Sequence, residues 1–179
     1  MSDEAERLYE RLLVLRCQTG DDDAYRELVA RFSPRLRYFL LKLSPRPDRA
    51  EDFAQETWVE VLRQLPRLKE AAAFTTWLYR IAHSKVMLDG RRRGREPAMT
   101  ADVDCVPDKE DASFSPEEAA QIHAALDQLE PAHREVLVLR FIEDMSYEDI
   151  SEIVDCPVGT VRSRIHYAKA RLKQLLTRT

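Results

Sequence analysis

Glu143–Leu176 reads EDMSYEDISEIVDCPVGTVRSRIHYAKARLKQLL, and this stretch decides the fold of the C-terminal part of the chain. Its pattern predicts a short helix, a three-residue turn and a longer second helix. In the second helix Val158, Val161, Ile165, Ala168, Leu172 and Leu175 recur at steps of three and four, which places them on one apolar stripe. Around that stripe stand Arg162, Arg164, His166, Lys169, Arg171 and Lys173, and no Asp or Glu occurs from Pro157 to Thr179. A helix that is apolar on one side and otherwise only cationic suits a polyanion. Behind a short helix and a tight turn, it predicts a helix-turn-helix with the second helix in a DNA major groove. The plain alternative is a solvated basic face, which the turn and the missing acidic residues disfavour.

Working outward, Ser146 is placed to cap the first helix of the pair, with Asp149 at the reciprocal position of a capping box. Asp155 falls in the turn, where Asp tolerates left-handed geometry better than most residues. Gly159 and Thr160 allow close backbone approach near a helix N-terminus, where phosphate is favoured. Arg162, Ser163, Arg164 and His166 are the candidates for the groove, with Thr160 beside them and Lys169 and Arg171 nearer the phosphates. Upstream, Pro131 opens a helix carrying Val136, Leu137, Leu139 and Phe141, and Ser115-Pro116-Glu117-Glu118 reads as the start of another.

Before that lies a break in composition. Glu96 to Glu118 holds eight acidic residues against Lys109 alone, a net charge of −7, with three prolines and no helical period. Such a segment is expected to be an extended or disordered linker. The N-terminal part is a series of amphipathic segments. Leu8, Leu12 and Leu15 make a first stripe, and Asp21 to Asp23 are placed to cap a helix with Tyr25, Leu28, Val29 and Phe32. Pro34 is expected to restart a helix that carries Leu36, Phe39, Leu40 and Leu43. Phe53, Ala54, Trp58, Val61, Leu62 and Leu65 form a strong stripe ended by Pro66. Phe74, Leu78, Ile81, Ala82 and Leu88 form another that runs into an arginine cluster.

Composition narrows the function. Hydrophobic residues make up 44% of the 179, charged residues 34%, and only four are glycine. With little β-branched alternation, this favours an all-α protein. The net charge of −4 argues against a free-standing, non-specific DNA binder, so the local cations call for help from a partner. Cys17, Cys105 and Cys156 are odd in number and widely spaced, and the four histidines show no ligand spacing. Neither a disulfide framework, a metal site nor a cofactor is expected, and a reducing cytoplasm fits. The opening MSDEAERLYERLLVLR lacks the basic start and small-residue cleavage site of a secretory leader, and no membrane insertion is expected.

Two stretches together are similar to a known family. LEPAHREVLVLRFIEDMSYEDISEIVDCPVGTVRSRIHYAKARLKQLL resembles region four of bacterial sigma factors of the extracytoplasmic-function (ECF) group. DRAEDFAQETWVEVLRQL followed by FTTWLYRIAHSKVMLDGRRRGR resembles region two of the same group. The resemblance implies two small helical domains. Residues 1–20 would be an N-terminal extension helix, 21–95 a region-two-like domain, 96–114 the acidic linker and 115–179 a region-four-like helix-turn-helix domain. It implies binding to core RNA polymerase through Asp52, Gln55, Glu56 and Val59, which lie off the apolar stripe of their helix on one face. Without the resemblance, an ordinary solvated helix face is the favoured reading of those residues. It implies reading of the minus-ten promoter element by Trp77, Arg80, His83, Ser84, Lys85, Arg91, Arg92 and Arg93, and of the minus-thirty-five element by Thr160, Arg162, Ser163, Arg164, His166, Lys169 and Arg171. Aromatics interleaved with cations suit unstacked bases, although Trp77 fits a core position equally well.

The chain departs from the family in carrying His83-Ser84 where Arg-Asn is common and Asp155 where glycine is common. Gly90 also stands where a larger residue is common, so the arginine cluster is expected on a frayed helix end. These changes bear on which minus-ten sequence is read. An anti-sigma factor is implied as a partner, and no small-molecule substrate. The alternative is an autonomous helix-turn-helix regulator, which gives no reason for the Asp52–Glu56 pattern. An enzyme would need clustered ligands or a nucleophile with its base, and neither is found.

Overall fold

The computed structural model describes residues 3–92 and 116–177, all in helices and short connections. The linker expectation for 96–114, the Ser115 cap and Arg93 lie outside these residues. The chain divides into two compact units, 1–95 and 96–179.

The first unit contains α1 (Asp3–Gln18), α2 (Asp22–Leu43), α3 (Ala50–Gln64) and α4 (Phe74–Arg92). Asp21 caps α2 by accepting from the Ala24 N–H at 2.9 Å. Edge-on ring pairs fasten α2 to α4: Phe32 with Phe74 at 5.2 Å and Phe39 with Tyr79 at 5.1 Å. The Tyr25 phenol donates to the Trp58 carbonyl at 2.9 Å and joins α2 to α3. Burial pushes that phenol up to about 12, so it stays a donor across the physiological range. The Gln18 amide donates to the carbonyls of Leu65 and Leu68, tying the end of α1 to the loop after α3.

Two expectations need correction here. Pro34 does not restart a helix: α2 runs unbroken through it. Ala30 and Pro34 are both exposed, so water can serve the carbonyl that loses its donor, while Leu28, Phe32, Leu36, Phe39 and Leu40 pack continuously on the other side. The stripe Leu8, Leu12, Leu15 is exposed, not buried. At 3.6 residues per turn, Leu13 sits on the opposite side of the helix, and it is Leu13 and Val14 that are fully buried. Polar contacts accompany that packing: Arg31 on α2 pairs with Glu6 and Glu10, and Tyr9 donates to Glu27. Helix α4 includes Gly90 and ends at Arg92, so Arg91 and Arg92 lie in its last turn.

The second unit contains α5 (Pro116–Leu126), α6 (Pro131–Leu137), α7 (Tyr147–Val154) and α8 (Val158–Leu176). A π-helical turn, Val138–Ile142, continues α6. The wide turn rotates the side chains after it relative to an α-helix, and Phe141, expected inside with Val136, Leu137 and Leu139, is exposed. Ser146 caps α7, accepting from the Asp149 N–H at 3.0 Å and donating to its carboxylate at 2.6 Å. Asp155 takes the left-handed conformation, φ 50°, that ends α7. The Ser151 hydroxyl donates to the Cys156 carbonyl at 2.6 Å and closes the turn. Three residues, Asp155 to Pro157, separate α7 from α8. On α8, Val161, Ile165 and Ala168 are buried, while Val158, Leu172 and Leu175 are only half-buried.

Candidate DNA-binding and partner-binding surfaces

Helix α3 turns Phe53, Ala54, Thr57, Trp58 and Val61 inward. Thr57 completes that buried arc, its hydroxyl donating to the Phe53 carbonyl at 2.7 Å. This leaves Asp52, Gln55, Glu56 and Val59 exposed on one side, as the sequence pattern requires. Leu62 was expected in the core and instead stands 59% exposed beside Val59, which is 69% exposed. Two bare aliphatic side chains ringed by Asp52, Gln55, Glu56 and Arg63 have the make-up of a protein-binding patch, apolar at the centre and polar at the rim.

On α4, Arg80, Ser84, Arg91 and Arg92 are exposed. Trp77 is half-buried, its ring tilted against Phe74 at 6.1 Å. His83 is buried at the back of the helix, so it does not share the outward face of Arg80 and Ser84. The spacing explains this: His83 follows Tyr79 by four residues and precedes Val86 by three, and both are core residues. A cleft of about 330 Å³ between α3 and α4 is lined by Glu60, Gln64, Arg80, Ile81, Ser84, Lys85 and Leu88. Lys85 Nζ lies 3.7 Å from the Glu60 carboxylate in its wall. Hydrogen bonds from Arg63 and then Gln64 hold the Glu60 carboxyl below its ordinary range, so it is an anion at neutral pH.

On α8, Arg162, His166 and Arg171 are exposed, and Thr160 and Lys169 are half-buried. Two groove candidates point elsewhere. Ser163 is buried, and its hydroxyl donates back to the Gly159 carbonyl at 3.1 Å. Arg164 lies three residues after Val161 and four before Ala168, on the flank of the buried stripe. Its Nη1 sits 3.7 Å from Oε1 of Glu135 on α6, with side-chain exposures of only 13% and 8%. It therefore joins two helices of the unit and does not present its guanidinium to solvent.

The structure adds residues that periodicity did not single out. Cations and rings alternate along one face: Lys169 over Phe141 at 4.8 Å, Arg140 over Phe141 at 5.9 Å, Arg140 over Tyr147 at 5.6 Å and Arg162 over Tyr147 at 5.7 Å. Arg140 also donates to the Met145 carbonyl at 3.1 Å, which fixes the middle of the ladder. The signal for it was the exposed Phe141, legible only once the π turn is known. Neither Cys17 nor Cys156 is in a disulfide. Among the described residues no group of His, Cys, Asp or Glu is arranged to hold a metal, and no helix is long and apolar enough to cross a membrane.

Comparison with known proteins gives the same two regions. Residues 28–96 match the family described as Sigma-70 region 2, and residues 119–172 match Sigma-70, region 4. The chain is 36% identical to the RNA polymerase sigma-H factor of Pseudomonas aeruginosa, over 92% of each chain. It is 32% identical to the ECF RNA polymerase sigma-E factor of Escherichia coli K12, covering 92% of this chain and 93% of the relative. Among solved structures it resembles the sigma factor RpoE of Bartonella quintana in complex with the anti-sigma factor NepR. That likeness has a TM-score of 0.66 and 27% identity, over 86% of this chain and 96% of the other. CnrH in complex with the cytosolic domain of CnrY matches at a TM-score of 0.66 and 26% identity, over 94% and 97%. The chain belongs to the extracytoplasmic-function sigma factors of bacterial RNA polymerase.

Proposed function

We propose that this sigma factor acts in the cytoplasm as a non-enzymatic specificity subunit, with labour divided among three helices. The exposed side of α3, with Asp52, Gln55, Glu56, Val59 and the newly found Leu62, binds core polymerase. The outward face of α4, with Arg80, Ser84, Arg91 and Arg92, engages minus-ten DNA, with Trp77 and Lys85 beside it. The cleft that Arg80, Ser84 and Lys85 line is offered to an unstacked base. The ladder of Arg162, Tyr147, Arg140, Phe141 and Lys169, with Thr160, His166 and Arg171 on the same helix as Arg162, serves minus-thirty-five DNA.

The observation that carries this reading is an acid-rimmed apolar patch and a cationic helix-turn-helix in one chain of net charge −4. Overall acidity weakens unaided DNA binding, and the patch supplies the partner that compensates. One solved relative was captured with the anti-sigma factor NepR, so an anti-sigma factor is proposed for this chain too.

Run-off transcription tests the whole reading. Core polymerase with this chain is expected to initiate on the DNA upstream of its own coding sequence, and core polymerase alone is not. Gln55→Ala with Glu56→Ala is expected to weaken core binding while both units stay folded. A strong sequence-specific footprint by the chain alone would favour an autonomous regulator instead.

A further inference from the structure

Asp52 and Glu56 stand one helical turn apart on α3, and both face a single guanidinium. Arg49 closes the short turn before α3. Its Nη1 donates to Oδ1 of Asp89 on α4 at 2.5 Å. Its Nε lies 3.5 Å from Asp52 Oδ2, and its Nη2 lies 3.7 Å from Glu56 Oε1. Its Cζ sits 4.8 Å from the centre of the Phe53 ring. The Arg49 side chain is 23% exposed, whereas those of Asp52 and Glu56 are 62% and 50% exposed. The guanidinium is thus anchored on its inner side by a short charge-assisted bond and a ring. It touches the two outward carboxylates only at longer range.

This arrangement has two physical consequences. Like charges four residues apart on a helix repel, and a fixed cation between them draws both carboxylates to one side. One guanidinium among three carboxylates leaves the cluster at a net charge of −2. The face therefore stays acidic toward a cationic partner, with carboxylate oxygens whose hydrogen-bonding capacity the long contacts do not use.

We propose that Arg49 is a positioning residue for core-polymerase binding: pinned by Asp89 and Phe53, it pre-orders Asp52 and Glu56 for the partner. The proposal rests on the assignment of α3 to that partner. Asp89 precedes Arg91 and Arg92 on α4, so the same pin joins the partner-binding helix to the cationic end of the DNA-facing helix.

The experiment measures affinity of the full chain for core polymerase without promoter DNA, for Arg49→Gln, Asp89→Asn and the two combined. Freeing two long-range carboxylates that must be immobilised again on binding weakens affinity about tenfold. Each single substitution is expected to produce that loss, and the combination is expected to add little, because both act through one pinned guanidinium. A role through net charge alone predicts opposite signs: Arg49→Gln makes the face more acidic and tightens binding, while Asp89→Asn loosens it. Opposite signs, or full additivity, overturn the proposal. Arg49→Lys keeps the charge without the planar fork and is expected to fall between wild type and Arg49→Gln. If Arg49→Gln fails to melt cooperatively, Arg49→Lys and Asp89→Asn decide the matter. Asp52→Asn with Glu56→Gln runs in parallel. Unchanged affinity there overturns the α3 assignment and the proposal with it. A loss there beside wild-type affinity in Arg49→Gln overturns the positioning role alone.

Discussion

Arg164→Ala separates a groove-facing arginine from an internal one. Removing one partner of a buried ion pair is strongly destabilising, by about 3–5 kcal/mol. The Arg164–Glu135 separation of 3.7 Å is longer than a hydrogen bond, which places the loss near the lower end, about 3 kcal/mol. The side chains are only 13% and 8% exposed, so little of this is screened by solvent. A small domain melts roughly 4–8 °C lower for each kcal/mol lost, so the second unit is expected to melt at least about 12 °C lower. The assay is thermal unfolding of the full chain, with hydrogen exchange at α6 and α8 to locate the change. Glu135→Met with Arg164→Met fills the same space without charge and is expected to recover most of the loss. Had Arg164 faced the groove, Arg164→Ala would leave melting within about 2 °C of the parent and abolish minus-thirty-five selectivity. That result would refute the internal assignment.

Arg162→Ala is expected to reduce discrimination at the minus-thirty-five element by about 1–3 kcal/mol while sparing core binding and stability. Tyr147→Ala, which removes the ring under Arg162, is expected to lower selectivity in the same direction, whereas Tyr147→Phe keeps it; equal selectivity in all three variants would remove the ladder from the interface. Burial first, then the Arg164 charge, holds the His133 imidazole below its ordinary 6.5. Folding therefore favours the neutral ring, and its contribution is present above pH 6.5 and lost as pH falls through the depressed value. Denaturation between about pH 7.5 and about pH 5.5, roughly one unit either side of the ordinary imidazole value, should show a stability loss that His133→Gln shrinks. Pro34→Ala is expected to raise the melting temperature of the first unit by restoring an α2 hydrogen bond, with a gain of up to about 3 kcal/mol in unfolding free energy.

Much of the fold was legible from local chemistry alone. The turn Asp155 to Pro157, the caps at Asp21 and Ser146 and the helix openings at Pro131 and Pro116 depend on residues within a few positions of one another. Backbone sterics and capping hydrogen bonds act over that range, so sequence suffices. The side of α3 carrying Asp52, Gln55, Glu56 and Val59 was legible too, because one strong apolar arc leaves only one opposite side. Family resemblance supplied the partner proposed for that side; periodicity supplied only that it is exposed.

Tertiary structure decided the rest wherever the local pattern offered two answers. Helix α1 carries apolar residues on two opposite sides, and packing on α2, with Glu6 and Glu10 meeting Arg31, buries Leu13 and Val14 and leaves Leu8, Leu12 and Leu15 outside. The π turn after α6 shifted Phe141 outward, a change of register that no period of 3.6 contains. Arg164 looked like its neighbour Arg162 in sequence, but Glu135 stands 29 positions earlier and only packing of α6 on α8 brings the two charges together. The same holds for Arg49, whose partner Asp89 is 40 residues away. A long cation is indifferent between water and a buried carboxylate until the fold supplies the carboxylate. Sequence alone therefore determined most helix starts and caps, while packing carried α2 through Pro34 and determined which charges stay at the surface.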